Sequence, residues 1–157
     1  MEQKDTLCGL RSAEITPDGL KLVLNNTLAA VEDGRQQILG YLGPLDPMAQ
    51  NRLEVLFEEL VANIIRHGFS HGSHQSIHVQ IERREGAIQL TFEDDGAPFN
   101  LLEAEAPEPF TDIETARVGG LGIPLARKMA RTLRYERLSS PAGGFRPNNR
   151  IVASVAS

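Results

Sequence analysis

Glu59, Asn63 and His67 recur at four-residue steps in a stretch that is otherwise largely apolar. On a helix each step turns about 400° and climbs about 6 Å, so the three side chains form one slowly drifting line along the edge of the apolar face. A carboxylate and an amide one turn apart can serve a metal ion and an attacking nucleophile at the same place. Asn63 offers a neutral oxygen of the kind Mg²⁺ takes beside its waters. Glu59 can accept a proton from a nucleophile or orient it. Solvated helix faces also collect Glu, Asn and His, and Glu54 and Glu58 lie on the same stretch, so the line alone does not define a site.

Two further segments carry chemistry. Asp94-Asp95-Gly96 ends an alternating apolar run. A carboxylate at the mouth of such a layer can accept a hydrogen bond from the exocyclic amine of a flat ring such as adenine. Gly96 lets the backbone turn and approach the ring closely, although Asp and Gly are also standard turn residues. Gly119-Gly120-Leu121-Gly122 stands before a helical pattern, where exposed backbone N–H groups and the positive dipole end favour an anion. A Rossmann reading fails, because Leu125 stands where the third glycine belongs and no strand precedes the loop. No Gly-Lys-Ser or Gly-Lys-Thr occurs, which excludes a P-loop. The scattered serines suggest no Ser-His-Asp hydrolase. His67, His71, His74 and His78 are separated by three, two and three residues, a spacing open to zinc. They straddle a helix end, a loop and a strand, with no cysteine near, so convergence is not expected.

The elements that must position these residues are read from periodicity. Residues 19–24 alternate as a strand, and Asn25-Asn26-Thr27 can cap a helix over 28–42 that ends at Gly43-Pro44. Asp46-Pro47 supplies an N-cap and a first-turn proline. Leu53, Leu56, Phe57, Leu60, Val61, Ile64 and Ile65 then make one broad apolar helical face, ending near Gly68. Ile77, Val79 and Ile81, and then Ile88, Leu90 and Phe92, alternate with polar residues about Glu85-Gly86, which predicts a hairpin with one buried face. Residues 100–118 lack periodicity and read as a long loop, a type that commonly carries function. A helix over 122–133 follows, with Leu121, Leu125, Met129 and Leu133 at four-residue steps. Strands over 134–138 and 150–156 close the chain. Hairpin-paired strands with helices gathered on one face predict an α+β, two-layer sandwich with a mainly antiparallel mixed sheet.

Composition fits one domain. The 157 residues are 41% hydrophobic and 24% charged, with a net charge of −5 and no basic block, which argues against a nucleic-acid partner. The single cysteine, Cys8, fits a reducing compartment. Neither a signal-peptide core nor a run of about 20 apolar residues is present. The expectation is a cytoplasmic, single-domain protein without a membrane span, in which residues 1–18 are less ordered.

Taken together, the three segments resemble the GHKL ATPase superfamily. Glu59 to His67 looks like its N box, and Asp94-Asp95-Gly96-Ala97-Pro98-Phe99 like its first glycine box. Gly119-Gly120-Leu121-Gly122-Ile123-Pro124-Leu125 looks like the second. Order and spacing are similar to those of the anti-sigma-factor serine/threonine kinases, the short single-domain branch, and the likeness runs from about Leu20 onward.

The resemblance implies a histidine-kinase-type ATP-binding fold. It implies ATP and Mg²⁺ as cofactors, with Asn63 on the metal and Glu59 as base or orienting group. Asp94 and Gly96 would sit at the adenine. His67, Gly119, Gly120, Leu121 and Gly122 would lie on the phosphate side, beneath a lid over 101–118, with Arg117 in reach of a phosphate. The partners it implies are an anti-anti-sigma (STAS-type) protein, a sigma factor, and a second copy of the chain. A module that binds nucleotide and sequesters its partner without catalysis has the same pocket. Pro124 in the first turn of the last helix, the lack of an acidic residue near Arg131-Thr132 and the long connector 142–150 depart from the family pattern.

Overall fold

The computed structural model describes residues 9–67, 76–96, 100, 102, 122–138 and 149–157. The elements are β1 (Leu10–Thr16), β2 (Gly19–Asn25), α1 (Ala29–Leu42), α2 (Pro47–His67), β3 (Ser76–Arg84), β4 (Ala87–Asp94), α3 (Gly122–Met129), β5 (Thr132–Arg137) and β6 (Asn149–Ala156). The six strands form one sheet in the order β1-β2-β3-β4-β6-β5, and every neighbouring pair is antiparallel.

Strand alternation decides which face the helices cover. Leu20, Leu22 and Leu24 of β2, Ile77, Val79 and Ile81 of β3, Ile88, Leu90 and Phe92 of β4 and Ile151, Ala153 and Val155 of β6 are all buried. They share one core with Leu53, Leu56, Phe57, Leu60, Val61 and Ile64 of α2. Residues between them, such as His78, Gln80 and Glu93, lie on the opposite face, where a pleated strand must send every second side chain. The result is the expected α+β two-layer arrangement.

Local signals account for several boundaries. Asp46 Oδ2 accepts from the main-chain N–H groups of Met48 and Ala49 at 3.1 and 3.2 Å, so the expected N-cap of α2 is present. Gly43, with φ of 68°, ends α1 by returning its N–H to Leu39. Gly86, with φ of 67°, closes the β3–β4 hairpin; a side chain would be strained at such an angle. Pro124 falls in the first turn of α3, where no helical partner for its nitrogen exists.

Three expectations change. No side chain caps α1: its N-cap is Leu28, and the first bond is Ala30 N–H to the Thr27 carbonyl. Residues 10–16, grouped with a less ordered segment, form strand β1 on β2. The last helix stops at Met129 and not at Leu133. Leu133 lies in β5 opposite Ala153, so strand pairing overrides a four-residue repeat that continues past the helix end.

Candidate functional site

The site is built at one end of the sheet, on the helix-covered face. α2 carries Glu59 and Asn63 in its C-terminal half. Asn63 is 4% exposed, deep for an amide, and its Nδ2 donates to the main-chain carbonyl of Glu59 at 2.7 Å, one turn back. That bond fixes the amide's orientation, since only nitrogen can donate, and turns Oδ1 away from the helix backbone. Glu59 is part-buried. Its carboxyl is pushed above the usual range by burial and then by Glu58, against a smaller opposite pull from Arg66. A carboxyl so placed takes up a proton more readily than a solvated one, as a base at a reacting hydroxyl must.

Asp94 ends β4 on the same face and is 3% exposed. Its Oδ1 accepts from the Gly96 N–H at 3.0 Å, which closes the acid turn, and from Asn149 Nδ2 at 3.0 Å, across the β4–β6 ladder. With both donors on Oδ1, Oδ2 is the oxygen with acceptor capacity to spare. Burial pushes the Asp94 carboxyl up, the two donors pull it down, and neighbouring Asp95 adds to the upward push; the net shift is upward. Asn149, the first residue of β6, is itself 3% exposed, and its Oδ1 accepts from the Tyr135 hydroxyl on β5.

Further contacts draw the segments together. α2 packs on α3 and reaches β6. Beyond the acid turn, Asn100 Oδ1 accepts from the Leu102 N–H at 2.9 Å, and Arg127 of α3 donates to the Leu102 carbonyl at 2.7 Å. The chain leaving Asp94 and Gly96 is thereby tied to the helix that begins at Gly122. His67 is the last residue of α2. Gly119, Gly120 and Leu121, together with Arg117, lie outside the described residues.

Asn149 and Tyr135 are the site residues that sequence reading missed. The available signal was a polar residue opening the final strand, legible only once the β4–β6 register sets it opposite Asp94. The sequence also contains Gly68-Phe69-Ser70-His71-Gly72, which has the Gly-x-Ser-x-Gly spacing. It stands between helix α2 and strand β3, the reverse of the strand-to-helix context in which that spacing exposes a nucleophile.

Other candidates separate from this site. A cavity of ≈ 310 Å³, lined in part by Lys21, His78, Gln80 and Glu93, opens on the sheet face opposite the helices, with a pleated layer between it and Asp94. His78 hydrogen-bonds Ser76 there through Nε2 at 3.2 Å. Among the described residues no group of three His, Cys, Asp or Glu side chains could hold a metal ion; His71 and His74 lie outside them. No helix of the described residues is long and apolar enough to cross a membrane.

Over 85 residues the chain is 28% identical to a protein of Bordetella bronchiseptica named serine/threonine-protein kinase BtrW, covering 54% of this chain and 60% of that one. The match thus spans less than two thirds of the relative's length. A solved histidine kinase domain from the blue-light activated histidine kinase of Erythrobacter litoralis EL346 superposes with a TM-score of 0.48 at 15% identity, over 85% of this chain and 61% of that one. Residues 24–144, most of the chain, match the model of the histidine kinase-like ATPase domain, and the protein belongs to that family.

Proposed function

We propose that the protein binds Mg-ATP at the site carried by α2, the Asp94 turn and α3, and acts as a serine/threonine protein kinase on a small STAS-type regulatory partner. The observation that carries the reading is the state of Asp94: a buried carboxylate whose Oδ1 is saturated and whose Oδ2 remains to accept from a base amine. Family membership and the relative named a serine/threonine-protein kinase support it.

The donor set fits Mg²⁺. Asn63 would hold the ion through a neutral hard oxygen, its amide nitrogen being already committed to the Glu59 carbonyl. When bound, the ion neutralises charge on the phosphates. The chain's own residues do the rest. Asp94 and Gly96 seat the base. The family resemblance assigns Gly119, Gly120, Leu121 and Gly122, with His67, to the phosphate side. Glu59 orients the acceptor hydroxyl and takes its proton as that oxygen bonds to the γ-phosphorus and the bond to the bridging oxygen of ADP breaks. Catalysis in such a site is mainly positioning and charge stabilisation.

The test is transfer of labelled γ-phosphate from Mg-ATP to STAS-domain partners, with mapping of phosphoserine or phosphothreonine. The expected result is labelled partner with wild type and labelling slowed by about 10²–10⁴-fold with Glu59→Gln. If nucleotide binds, no partner is labelled, and a sigma factor is still sequestered by Glu59→Gln, the protein is a non-catalytic binding module.

A further inference from the structure

Three polar side chains on three strands form a chain of hydrogen bonds that runs toward Asp94. The Tyr135 hydroxyl donates to Asn149 Oδ1, and Asn149 Nδ2 donates to Asp94 Oδ1 at 3.0 Å. Asn149 Nδ2 also lies 3.5 Å from the Gly96 carbonyl. While its oxygen accepts from the Tyr135 hydroxyl, the amide presents N–H and not its carbonyl to the carboxylate. The Gly96 N–H adds a second donor to the same oxygen. Two donors on Oδ1 favour the ionised carboxylate against burial.

We propose that Tyr135 and Asn149 are positioning residues that hold Asp94 as an acceptor, with Oδ2 toward the ligand, and that this relay sets a preference for a 6-amino over a 6-oxo purine. The inference rests on the nucleotide-binding reading above. An ionised Oδ2 accepts from an amine and repels a carbonyl oxygen. A protonated one donates to the carbonyl and loses the amine. Purine choice therefore follows the protonation state of Asp94, which the relay controls.

Among the described residues, few groups bear on that protonation state. On β4 the charged neighbour is Asp95, which disfavours the ionised form. Ile77, the β3 partner of Asp94, is apolar. On β6, Arg150 pairs with Glu93 and Glu136 on the sheet face opposite the helices. On β5 the titratable neighbour is Tyr135 itself. α2, packed on β6, carries the neutral Asn63 and the part-buried Glu59.

The experiment measures calorimetric affinity of the full chain for ATP and inosine triphosphate, both with Mg²⁺, between pH 5 and 8. Wild type should prefer ATP throughout, with ATP affinity falling only at the acid end. Asn149→Leu should move that fall upward by about one pH unit and reduce the ATP preference roughly tenfold, the scale of one hydrogen bond to a charged group. Tyr135→Phe, which removes only a hydroxyl, should move both readings the same way by less, and it decides the matter if the first variant does not fold. Folded variants with the wild-type acid midpoint and the wild-type ATP preference would overturn the relay. Wild type binding neither nucleotide at any pH would instead overturn the underlying nucleotide-site reading.

Discussion

Asn63 hydrogen-bonds its side-chain nitrogen to the main-chain carbonyl of Glu59, 2.7 Å away and one helical turn back. The two residues singled out for metal and base chemistry are thus joined through the backbone of one and the amide of the other. Replacing Asn63 by Ala removes the oxygen offered to Mg²⁺ and leaves a helical carbonyl that retains its helix bond. ATP affinity measured with and without Mg²⁺ should lose most of its metal dependence, by about tenfold or more on the scale of one charge-assisted contact. The helical circular dichroism should be unchanged.

Asp94 should reveal a cost of function in the unliganded fold. Burial raises its carboxyl, so folding favours the neutral form. Its contribution is full below the unfolded value and is lost as pH rises through the folded value. At neutral pH the ionised group is therefore a liability. Asp94→Asn keeps an oxygen for the Gly96 and Asn149 donors and removes the buried charge. Without nucleotide the melting temperature should rise by about 2–4 °C, equivalent to roughly 1 kcal/mol, while ATP affinity collapses because an N–H replaces the accepting Oδ2. A melt lower than wild type would contradict the assigned polarity.

Glu59 should govern chemistry without governing affinity. Glu59→Gln should reduce phosphotransfer by about 10²–10⁴-fold, the usual contribution of a positioned base, with ATP affinity little changed. Because burial raises the Glu59 carboxyl above its ordinary value of 4.5, the wild-type rate should fall as pH drops through that raised value. The acid limb of the single-turnover profile should therefore lie above 4.5 and be absent from the residual activity of the Gln variant.

Helix α1 meets α2 where Gly34 faces Phe57. A Cβ at Gly34 would lie 2.5 Å from Phe57 Cζ, and the Phe57 ring is held in the core at 6.1 Å from that of Phe92. Gly34→Ala gains up to about 1 kcal/mol of helix propensity and incurs about 1–3 kcal/mol of overpacking. The expected net loss, read from the urea midpoint, is about 1–2 kcal/mol with ATP affinity retained.

What was legible in the sequence was what depends on short-range pattern. α2 and the β3–β4 hairpin follow from 3.6- and 2-residue periods, and the Asp46 cap from a two-residue signal. β1 was not legible because it is an edge strand, exposed over Arg11–Ile15, with no buried face to impose alternation. The end of α3 was misread because Leu133 continues the helical repeat while its true partner, Ala153, lies far along the chain. For the same reason Glu59, Asn63 and Asp94 could be named from their neighbours. Asn149, 55 residues from Asp94, needed the sheet register, and Tyr135 needed Asn149.

Calorimetric titration of ATP into the full chain, with Mg²⁺ and again with chelator, tests the central claim most directly. The account predicts saturable one-site binding that is tighter with Mg²⁺ and lost in Asp94→Asn. No saturable binding at millimolar Mg-ATP, or equal binding by folded Asp94→Asn, would contradict it.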